Sequence, residues 1–363
     1  MSSYDIKLLP LNFELETKAV LKQLVLSRSA LSELKGIATT IPNEAILVNT
    51  LSLQEAKDSS AIENIITTQD DLYQADIAQN LYNNLATKEV YAYKRALIEG
   101  FDFIRDSDIL TFNQILHLQS IIVENNGGYR KLAGTVLKNE KTGATVYTPP
   151  QHFNDIMHYL NNLEQFMNDT SMSDLDPLIK MALIHFQFET IHPYYDGNGR
   201  TGRIINILYL VKENLLDTPI LYLSRYINRN RDDYYRLLQS VREKDTWEEW
   251  ILYMLKGVEQ TSLHTIRIIQ GISELMLKQQ DKIRTDLPKI YSSDLVNCLF
   301  IHPYTKIEYM SNNLNISRNT AIRYLNELIK IGILDKKRLY TGNYYFNKAL
   351  LEFLTNVTDN YPL

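Results

Sequence analysis

Apolar residues recur at spacings of three and four positions along most of the chain, with polar residues between them. The pattern is clearest over residues 21–34, 178–188, 204–211 and 268–276. This spacing puts apolar side chains on one face of an α-helix, and stretches rich in Pro, Gly and Asn separate the runs. The pattern predicts a mainly α-helical protein.

One segment has the character of strands instead. Residues 133–147, "AGTVLKNEKTGATVY", contain two β-prone runs, and the residues between them, Lys141 to Gly143, form a turn signal. We expect a β-hairpin here.

The pattern changes again after Pro288. Two helical runs precede a turn and a third helical run, "RNTAIRYLNELIKIG", which Ser317 is placed to cap. Gly332 ends that run, and two short β-prone runs follow with a turn at residues 341–343. This order of elements is typical of a winged helix-turn-helix domain.

Composition narrows the class of protein. The chain has 363 residues, a formal charge of −5 and a single cysteine, Cys298. One cysteine forms no internal disulfide, so we expect a reducing compartment. The first residues lack the features of a signal peptide, and no apolar run approaches the ~20 residues of a membrane span. We therefore expect a cytoplasmic protein, of two or three domains, that does not enter a membrane.

The stretch "HPYYDGNGRTGR", residues 192–203, lies between two helical runs. Asp176 and Pro177 are a strong helix start, and the first helix should continue to about Thr190. Turn dipeptides then precede a second helix. A Gly-rich loop that leads into a helix N-terminus directs backbone N–H groups at one point, which suits a phosphate.

The side chains of this stretch fit phosphate chemistry. Arg200 and Arg203 share a helical face, and guanidinium groups bind phosphate oxygens with two parallel hydrogen bonds. Asp196 is a carboxylate of the kind that holds Mg²⁺ together with substrate phosphates. His192 is a candidate general base, because histidine is the side chain that most often takes this role at neutral pH. Taken singly, each residue has an ordinary structural explanation, but their combination within twelve positions favours nucleotide-phosphate chemistry.

These twelve residues closely resemble the Fic family signature, His-Pro-Phe-x-Asp-Gly-Asn-Gly-Arg-x-x-Arg, with Tyr194 in place of phenylalanine. The resemblance implies a Fic-type helical core with a β-hairpin flap. It also implies transfer of AMP from ATP to a Ser, Thr or Tyr hydroxyl of a target protein, or of the protein itself. Relatives with lysine at the position of Gly199 transfer a whole phosphate, so this chain has the AMP-transfer form.

The resemblance assigns a role to each residue of the motif. His192 would take the proton of the incoming hydroxyl, and Asp196 would hold Mg²⁺. Arg200 would face the β-phosphate and Arg203 the γ-phosphate. The remaining residues expected to bind ATP are Gly197, Asn198, Gly199, Thr201 and Gly202, with the side chain of Asn198 beside the α- and β-phosphate oxygens.

Further resemblances extend over residues 12–255. The hairpin is similar to the flap that aligns the target, with Thr145, Val146 and Tyr147 beside the nucleotide; an ordinary surface hairpin is the alternative. Tyr234 and Tyr235 match a tyrosine pair that packs around adenine, although one of them is expected in the core. Asn230 is expected to cap their helix and to touch the nucleotide. Trp247 and Trp250 are assigned to core packing.

"SSAIEN", residues 59–64, resembles an inhibitory motif of the family through Ser59, Glu63 and Asn64. The implied arrangement is a helix beside the ATP site, with Glu63 paired to Arg203. Such a pair would occupy the guanidinium that the γ-phosphate needs.

We divide the chain into four parts. Residues 1–108 are a helical region with the inhibitory helix, 109–257 the catalytic core, 258–287 a helical linker and 288–363 the winged helix. Residues 289–348 contain nine Lys or Arg and four Asp or Glu, a local basic excess that favours DNA contact. The candidate DNA-binding residues are Arg318, Asn319, Arg323, Lys336, Lys337 and Arg338.

Alternatives remain at this stage. The C-terminal domain could instead bind protein or form a homodimer. The whole chain could be a DNA-binding regulator whose Fic-like core only senses nucleotide. His192 favours the enzyme, because a sensor has no need of a proton acceptor at this position.

Overall fold

The computed structural model describes residues 5–68, 71–72, 75, 84–138, 142–339 and 342–360. Within them the chain is mainly helical, as the apolar spacing predicts. The helices are α1 (Lys18–Ala38), α2 (Glu44–Ile62), α3 (Leu85–Ser107), α4 (Phe112–Val123), α5 (Phe153–Asn168), α6 (Pro177–Ile191), α7 (Asn198–Lys212), α8 (Leu223–Arg229), α9 (Arg231–Lys244), α10 (Trp247–Asp286), α11 (Ser293–Ile301), α12 (Ile307–Asn313), α13 (Arg318–Lys330) and α14 (Lys348–Asn360). A 3₁₀ turn spans Thr170–Met172.

The five strands are short. They are β1 (Leu137–Lys138), β2 (Thr145–Tyr147), β3 (Tyr304–Thr305), β4 (Leu334–Leu339) and β5 (Gly342–Asn347). Strands β1 and β2 form an antiparallel pair, in which Leu137 lies opposite Tyr147 and Lys138 opposite Thr145. A second antiparallel sheet has the order β3-β5-β4.

The chain divides into two compact units, and each is described by itself. The first comprises residues 1–32, 52–66 and 88–262, and the second comprises residues 33–51, 67–87 and 263–363. The predicted borders at residues 108, 257 and 287 stay predictions. Helix α10 continues without a break through the border predicted at residue 257.

The first unit is built around α6 and α7, which pack against each other. Helix α6 begins as expected, since Asp176 accepts the N–H of Leu178 at 2.8 Å and Pro177 occupies the first turn. Every residue from Leu178 to Ile191 is buried, and so is nearly all of α7. Helices that are apolar or paired on all sides form the centre of a domain rather than its surface. The site loop joins these two helices.

Neighbouring elements cover the central pair. Helix α5 packs on α6, and α4 packs on α7. Trp250, fully buried, donates its indole N–H to the carbonyl of Ala182 at 2.8 Å, and Trp247 contacts the ring of Phe186 edge-on. Both tryptophans therefore pack in the core, as predicted. The predicted hairpin is present as β1 and β2, while Lys141 at its predicted turn lies outside the described residues.

The second unit contains the predicted helices and hairpin of the C-terminal region. Ser317 accepts the N–H of Thr320 at 3.2 Å and so caps α13. Gly332 has a φ of 75°, the left-handed conformation that ends a helix. Strands β4 and β5 then pair antiparallel, and Thr341 of the predicted turn lies outside the described residues. Within the parts of the chain that are described, no helix is both long and apolar enough to span a membrane.

Candidate active site

The loop between α6 and α7 is held in shape by its own side chains. His192 ends α6 in the left-handed conformation, with φ 49° and ψ 60°, and so reverses the chain direction. The buried Asn198 side chain then accepts the N–H of Tyr194 at 2.9 Å and donates to its carbonyl at 2.8 Å. This amide was expected beside the phosphate oxygens, but here it braces the loop.

Gly197 sets the start of α7. Its φ is 79°, and a Cβ there would lie 2.8 Å from the side chain of Val123, so glycine suits both the backbone and the space. No side chain caps α7. The first N–H groups of a helix have no partner within the helix and carry its positive dipole end. The first N–H groups of α7, at residues 198–200, are therefore where the predicted anion site would lie.

A cavity of about 860 Å³ opens beside this helix end. It brings together residues from distant parts of the sequence: Glu63, Val146, His192, Gly199, Arg203 and Tyr235. Asn64 and Tyr234 also line it. The other predicted site residues lie around the cavity without lining it: Ser59, Thr145, Tyr147, Asp196, Gly197, Asn198, Arg200, Thr201, Gly202 and Asn230.

His192 is partly buried at the cavity wall. Burial and the positive charges of Arg130 and Arg242 lower its pKa from the ordinary 6.5 to about 4, while Glu63 acts in the opposite direction. The imidazole is therefore neutral at pH 7 and free to accept a proton.

Arg203 is fixed by three acceptors that all come from the end of α2. Its Nη2 lies 2.8 Å from Oε1 of Glu63 and 2.9 Å from the carbonyl of Ser59, and its Nε donates to Oγ of Ser59 at 2.8 Å. The expected ion pair is present, although α2 ends at Ile62, one residue before Glu63. Burial, the largest single influence, would raise the pKa of Glu63, but the charge and the hydrogen bond of Arg203, together with the charges of Arg200 and His192, lower that pKa.

Arg200 does not line the cavity. Its Nη1 lies 2.8 Å from Oε2 of Glu89 on α3, and its side chain is 4% exposed. Its Nη2 lies 3.7 Å from Oδ1 of Asp196. Both arginines expected at the phosphates thus carry a carboxylate partner. The partner of Arg200 was not predicted, because nothing in the sequence near residue 89 marks that glutamate.

Asp196 is the candidate magnesium ligand. Its side chain is 72% exposed at the loop, where Oδ1 also accepts the N–H of Gly197 at 2.6 Å. Among the described residues, no group of three or more His, Cys, Asp or Glu is placed to hold a metal. One carboxylate with open space before it fits Mg²⁺ only if substrate phosphates supply further ligands, which is how Mg²⁺ usually binds with nucleotides.

The tyrosine pair divides as the sequence suggested. Tyr234 is buried, and its hydroxyl lies 2.9 Å from Nε2 of His185. Tyr235 is 44% exposed at the cavity, with the guanidinium of Arg231 over its ring. Asn230 precedes their helix, but its side chain donates to the carbonyl of Tyr226 at 2.9 Å and makes no capping bond to α9. Asn230 therefore occupies the N-cap position of α9, as expected, but its side chain bonds the preceding helix and does not cap α9.

The flap residues alternate across the strand. Val146 is 38% exposed and lines the cavity. Tyr147 is buried, with its hydroxyl donating to the carbonyl of Thr190 at 3.0 Å and the guanidinium of Arg242 over its ring at 4.1 Å. Successive residues of a strand face opposite sides, so Val146 faces the cavity while Tyr147 anchors the flap.

Besides Glu89, sequence reasoning missed two more carboxylates near the site. Glu189 lines the cavity, is 8% exposed, and burial raises its pKa to about 7. It precedes His192 by three residues and so shares its helix face, a signal that was available. Glu55 lies eight residues before Glu63, again on one face, and accepts hydrogen bonds from Tyr93 at 2.9 Å and from the N–H of Ser224 at 3.0 Å. It anchors α2 beneath the site.

Comparisons with known proteins match these features. The chain matches models described as Fic/DOC family N-terminal at residues 21–102, Fic/DOC family at 109–210 and Protein adenylyltransferase SoFic-like, C-terminal domain, at 275–350. It is 25% identical over 126 residues to Protein adenylyltransferase fic-1 of Caenorhabditis elegans, which is 35% of this chain and 23% of that protein. A probable protein adenylyltransferase of Aquifex aeolicus is 30% identical over 105 residues, 29% of this chain and 30% of that one. The matched segments thus span less than a third of either relative.

Solved structures share the fold. A Fic family protein from Desulfovibrio desulfuricans G20 aligns over 93% of this chain and 97% of its own, with a TM-score of 0.57 and 18% identity. A Fic domain containing signaling protein from Bacteroides thetaiotaomicron VPI-5482 aligns over 69% of this chain and 97% of its own, with a TM-score of 0.53 and 17% identity. The family models that match along its length, together with the motif in its loop, show that the chain belongs to the Fic/DOC family.

Proposed function

We propose that the protein transfers AMP from ATP to a hydroxyl side chain of a target protein or of itself. One observation carries the proposal. A neutral histidine, a helix N-terminus and a buried arginine face the same cavity, at His192, Gly199 and Arg203. The name of the matching C-terminal family and those of the curated relatives, which are adenylyltransferases, support the same reaction.

The chemistry assigned to His192 is general base catalysis. Its ring takes the proton of the incoming Ser, Thr or Tyr hydroxyl as that oxygen attacks the α-phosphorus. A P–O bond forms to the hydroxyl oxygen, and the bond from the α-phosphorus to pyrophosphate breaks. A pKa of about 4 makes the free imidazole a weak base. The negative charge of bound ATP raises that pKa toward the range in which a general base works well.

Phosphate binding is assigned to the start of α7 and to the two arginines. The N–H groups of residues 198–200 would hold the α- and β-phosphate oxygens, since the N–H of Gly197 already donates to Asp196, and Arg203 would meet the γ-phosphate. Arg200 would face the β-phosphate only after it leaves Glu89. Positioning and charge stabilisation of this kind account for most of the catalysis of phosphoryl-type transfers. Asp196 would hold Mg²⁺, which would supply positive charge to the α- and β-phosphate oxygens.

The nucleoside of ATP is assigned to the part of the cavity lined by Tyr235 and Val146, which present exposed apolar surface. Tyr234 supports Tyr235 from behind, with ring centroids 5.1 Å apart. Asn230 is a weaker candidate, since its side chain is already bonded to Tyr226.

We further propose that Glu63 restrains the enzyme. The carboxylate holds the guanidinium that the γ-phosphate needs, and Ser59 and Glu55 keep that end of α2 in place. ATP must displace Glu63 or bind with its phosphates misplaced. Alignment errors of ~1 Å can cost ~10²-fold in rate.

DNA is a second proposed partner, bound through the C-terminal region. Strand β4 carries Lys336, Lys337 and Arg338 in succession, and all three are exposed. On α13, Arg318 is 62% exposed but pairs with Glu308 at 2.7 Å. Lys336 and Arg338 share one face of the strand, and exposed cations suit phosphate contacts, which position a protein on DNA without reading its sequence.

The position of the radioactive label in ATP tests the main proposal. The full-length chain is incubated with Mg²⁺ and ATP labelled on either the α- or the γ-phosphorus. AMP transfer places the α-label on protein and releases the γ-label, whereas transfer of a whole phosphate does the reverse. His192→Ala should lower α-label incorporation by ~10²–10⁴-fold and leave ATP binding intact, because the base acts on the hydroxyl. Wild-type incorporation by that variant would contradict the role of His192, and protein labelled only by the γ-phosphorus would contradict AMP transfer.

A further inference from the structure

Four consecutive carbonyl groups, the last two of α6 and the first two of the loop after it (residues 190–193), accept hydrogen bonds from elsewhere in the chain. The hydroxyl of Tyr147 donates to the first at 3.0 Å. The guanidinium of Arg130 donates to the second at 3.3 Å and to the third at 2.7 Å, and its main-chain N–H donates to the fourth at 2.9 Å. A helix leaves its last carbonyls without internal partners. One buried arginine therefore binds three successive carbonyls where the helix passes into the loop.

The third of these carbonyls belongs to His192. That residue is held in the left-handed conformation, which side chains larger than glycine seldom adopt. Arg130 is fully buried, and its Nη2 also donates to the carbonyl of Pro150 at 2.9 Å, three residues after the flap strand β2. A single planar group thus joins the main chain of the base to the end of the flap.

We propose that Arg130 is a positioning residue for the reaction: it fixes the left-handed main chain of His192 and ties it to the flap. The His192 ring and the edge of the flap are then held at a fixed distance and orientation relative to each other. The assignment rests on the proposed function of His192. It differs from an ordinary capping role because it predicts changes at the ring of His192 as well as in stability.

Removal of the charge of Arg130 would change the pKa of the His192 ring. The charged groups that act on His192 come from separate elements: Arg130 lies before the flap, Arg242 on α9 and Glu63 after α2. Glu189, one turn earlier on α6, also lines the cavity but acts on His192 through its main chain. Both arginines lower the pKa of His192, so a neutral residue at position 130 should raise it. Transfer increases with pH as His192 loses its proton. The acidic limb of the rate profile should therefore move to higher pH in Arg130→Gln.

The experiment uses the full-length chain with Arg130→Gln and Arg130→Lys. The ring signals of ¹³C-labelled histidine are titrated by NMR, with His192→Ala to assign the signal, and α-label transfer is measured against pH. In Arg130→Gln we expect the pKa of His192 to rise above the wild-type value and transfer at pH 7 to fall ~10²-fold. Arg130→Lys keeps the positive charge but loses the planar guanidinium. In this variant the pKa of His192 should therefore stay low, while transfer should still fall.

Arg225→Gln is the matched control, because Arg225 is another buried arginine, on α8, and does not act on the charge of His192. It should leave the pKa of His192 unchanged. An unshifted pKa in a folded Arg130→Gln, or wild-type transfer by Arg130→Lys, would overturn the proposal. If Arg130→Gln does not fold, Arg130→Lys decides alone. A wild-type protein that transfers no α-label at any pH would refute the proposed function, and the NMR titration would still decide the effect of Arg130.

Discussion

Removal of the Glu63 carboxylate should activate the enzyme by an amount that the structure bounds. The pair joins Nη2 of Arg203 to Oε1 of Glu63 at 2.8 Å, with the arginine 2% exposed and the glutamate 35% exposed. A hydrogen bond to a charged group contributes about 1.5–3 kcal/mol. Because solvent reaches Glu63, screening favours the lower part of that range, about 1.5–2 kcal/mol. ATP that no longer competes with this contact should gain ~10–30-fold in apparent affinity or rate.

Incorporation of α-labelled ATP into the chain itself measures the gain, with Glu63→Gly and the size-matched Glu63→Gln compared with wild type. Glu99→Gln is the matched control, since Glu99 is a glutamate on α3 that contacts His117 and does not line the cavity. The gain should disappear in Glu63→Gly combined with Arg203→Ala, because no guanidinium is then released. A Glu63→Gly protein no more active than wild type, or a gain that survives Arg203→Ala, would refute the restraint.

Three further results are expected. Asp196→Ala should lose the dependence of transfer on Mg²⁺ concentration, and an unchanged Mg²⁺ titration would contradict its role as ligand. Gly202→Ala should lower the unfolding temperature, because a Cβ there would lie 2.6 Å from Oε1 of Glu189, and overpacking of this kind costs about 1–3 kcal/mol. Gly36→Ala is the control and should not be destabilised, because its Cβ would meet nothing within 4 Å. Retention of the full-length protein on DNA should fall steeply with salt, as counterion release requires, and no retention at low salt would favour protein contact by the C-terminal region.

The local signals of the sequence predicted the local structure well. The start of α6 at Asp176 and Pro177, the cap at Ser317 and the hairpin at residues 137–147 follow from short-range rules of capping and turn chemistry. The motif of residues 192–203 likewise led to the cavity, because its order of residue types leaves few alternatives.

Contacts between distant positions could not be predicted from the sequence. Arg200 meets Glu89, 111 residues away, and no local pattern marks that pairing. Helix α10 passes through the expected linker without a break, although it contains Gly257 and Gly271. Both glycines allow close packing instead, with a Cβ at position 257 lying 2.8 Å from the ring of Tyr226 and one at position 271 overlapping the ring of Phe353. Glycine signals a turn from sequence alone, whereas in a long helix it can serve packing.

Gly199 imposes a steric condition on the residue at position 63. A Cβ at position 199 would overlap Oε1 of Glu63 and lie 3.0 Å from Nη1 of Arg203. The glutamate reaches its arginine only because position 199 has no side chain. A methyl group at position 199 would push the Glu63 carboxylate away from Arg203 and so break the ion pair without any substitution of Glu63. Positions 199 and 63 should therefore covary over evolutionary time, since a gain of bulk at one leaves room only for a shorter residue at the other.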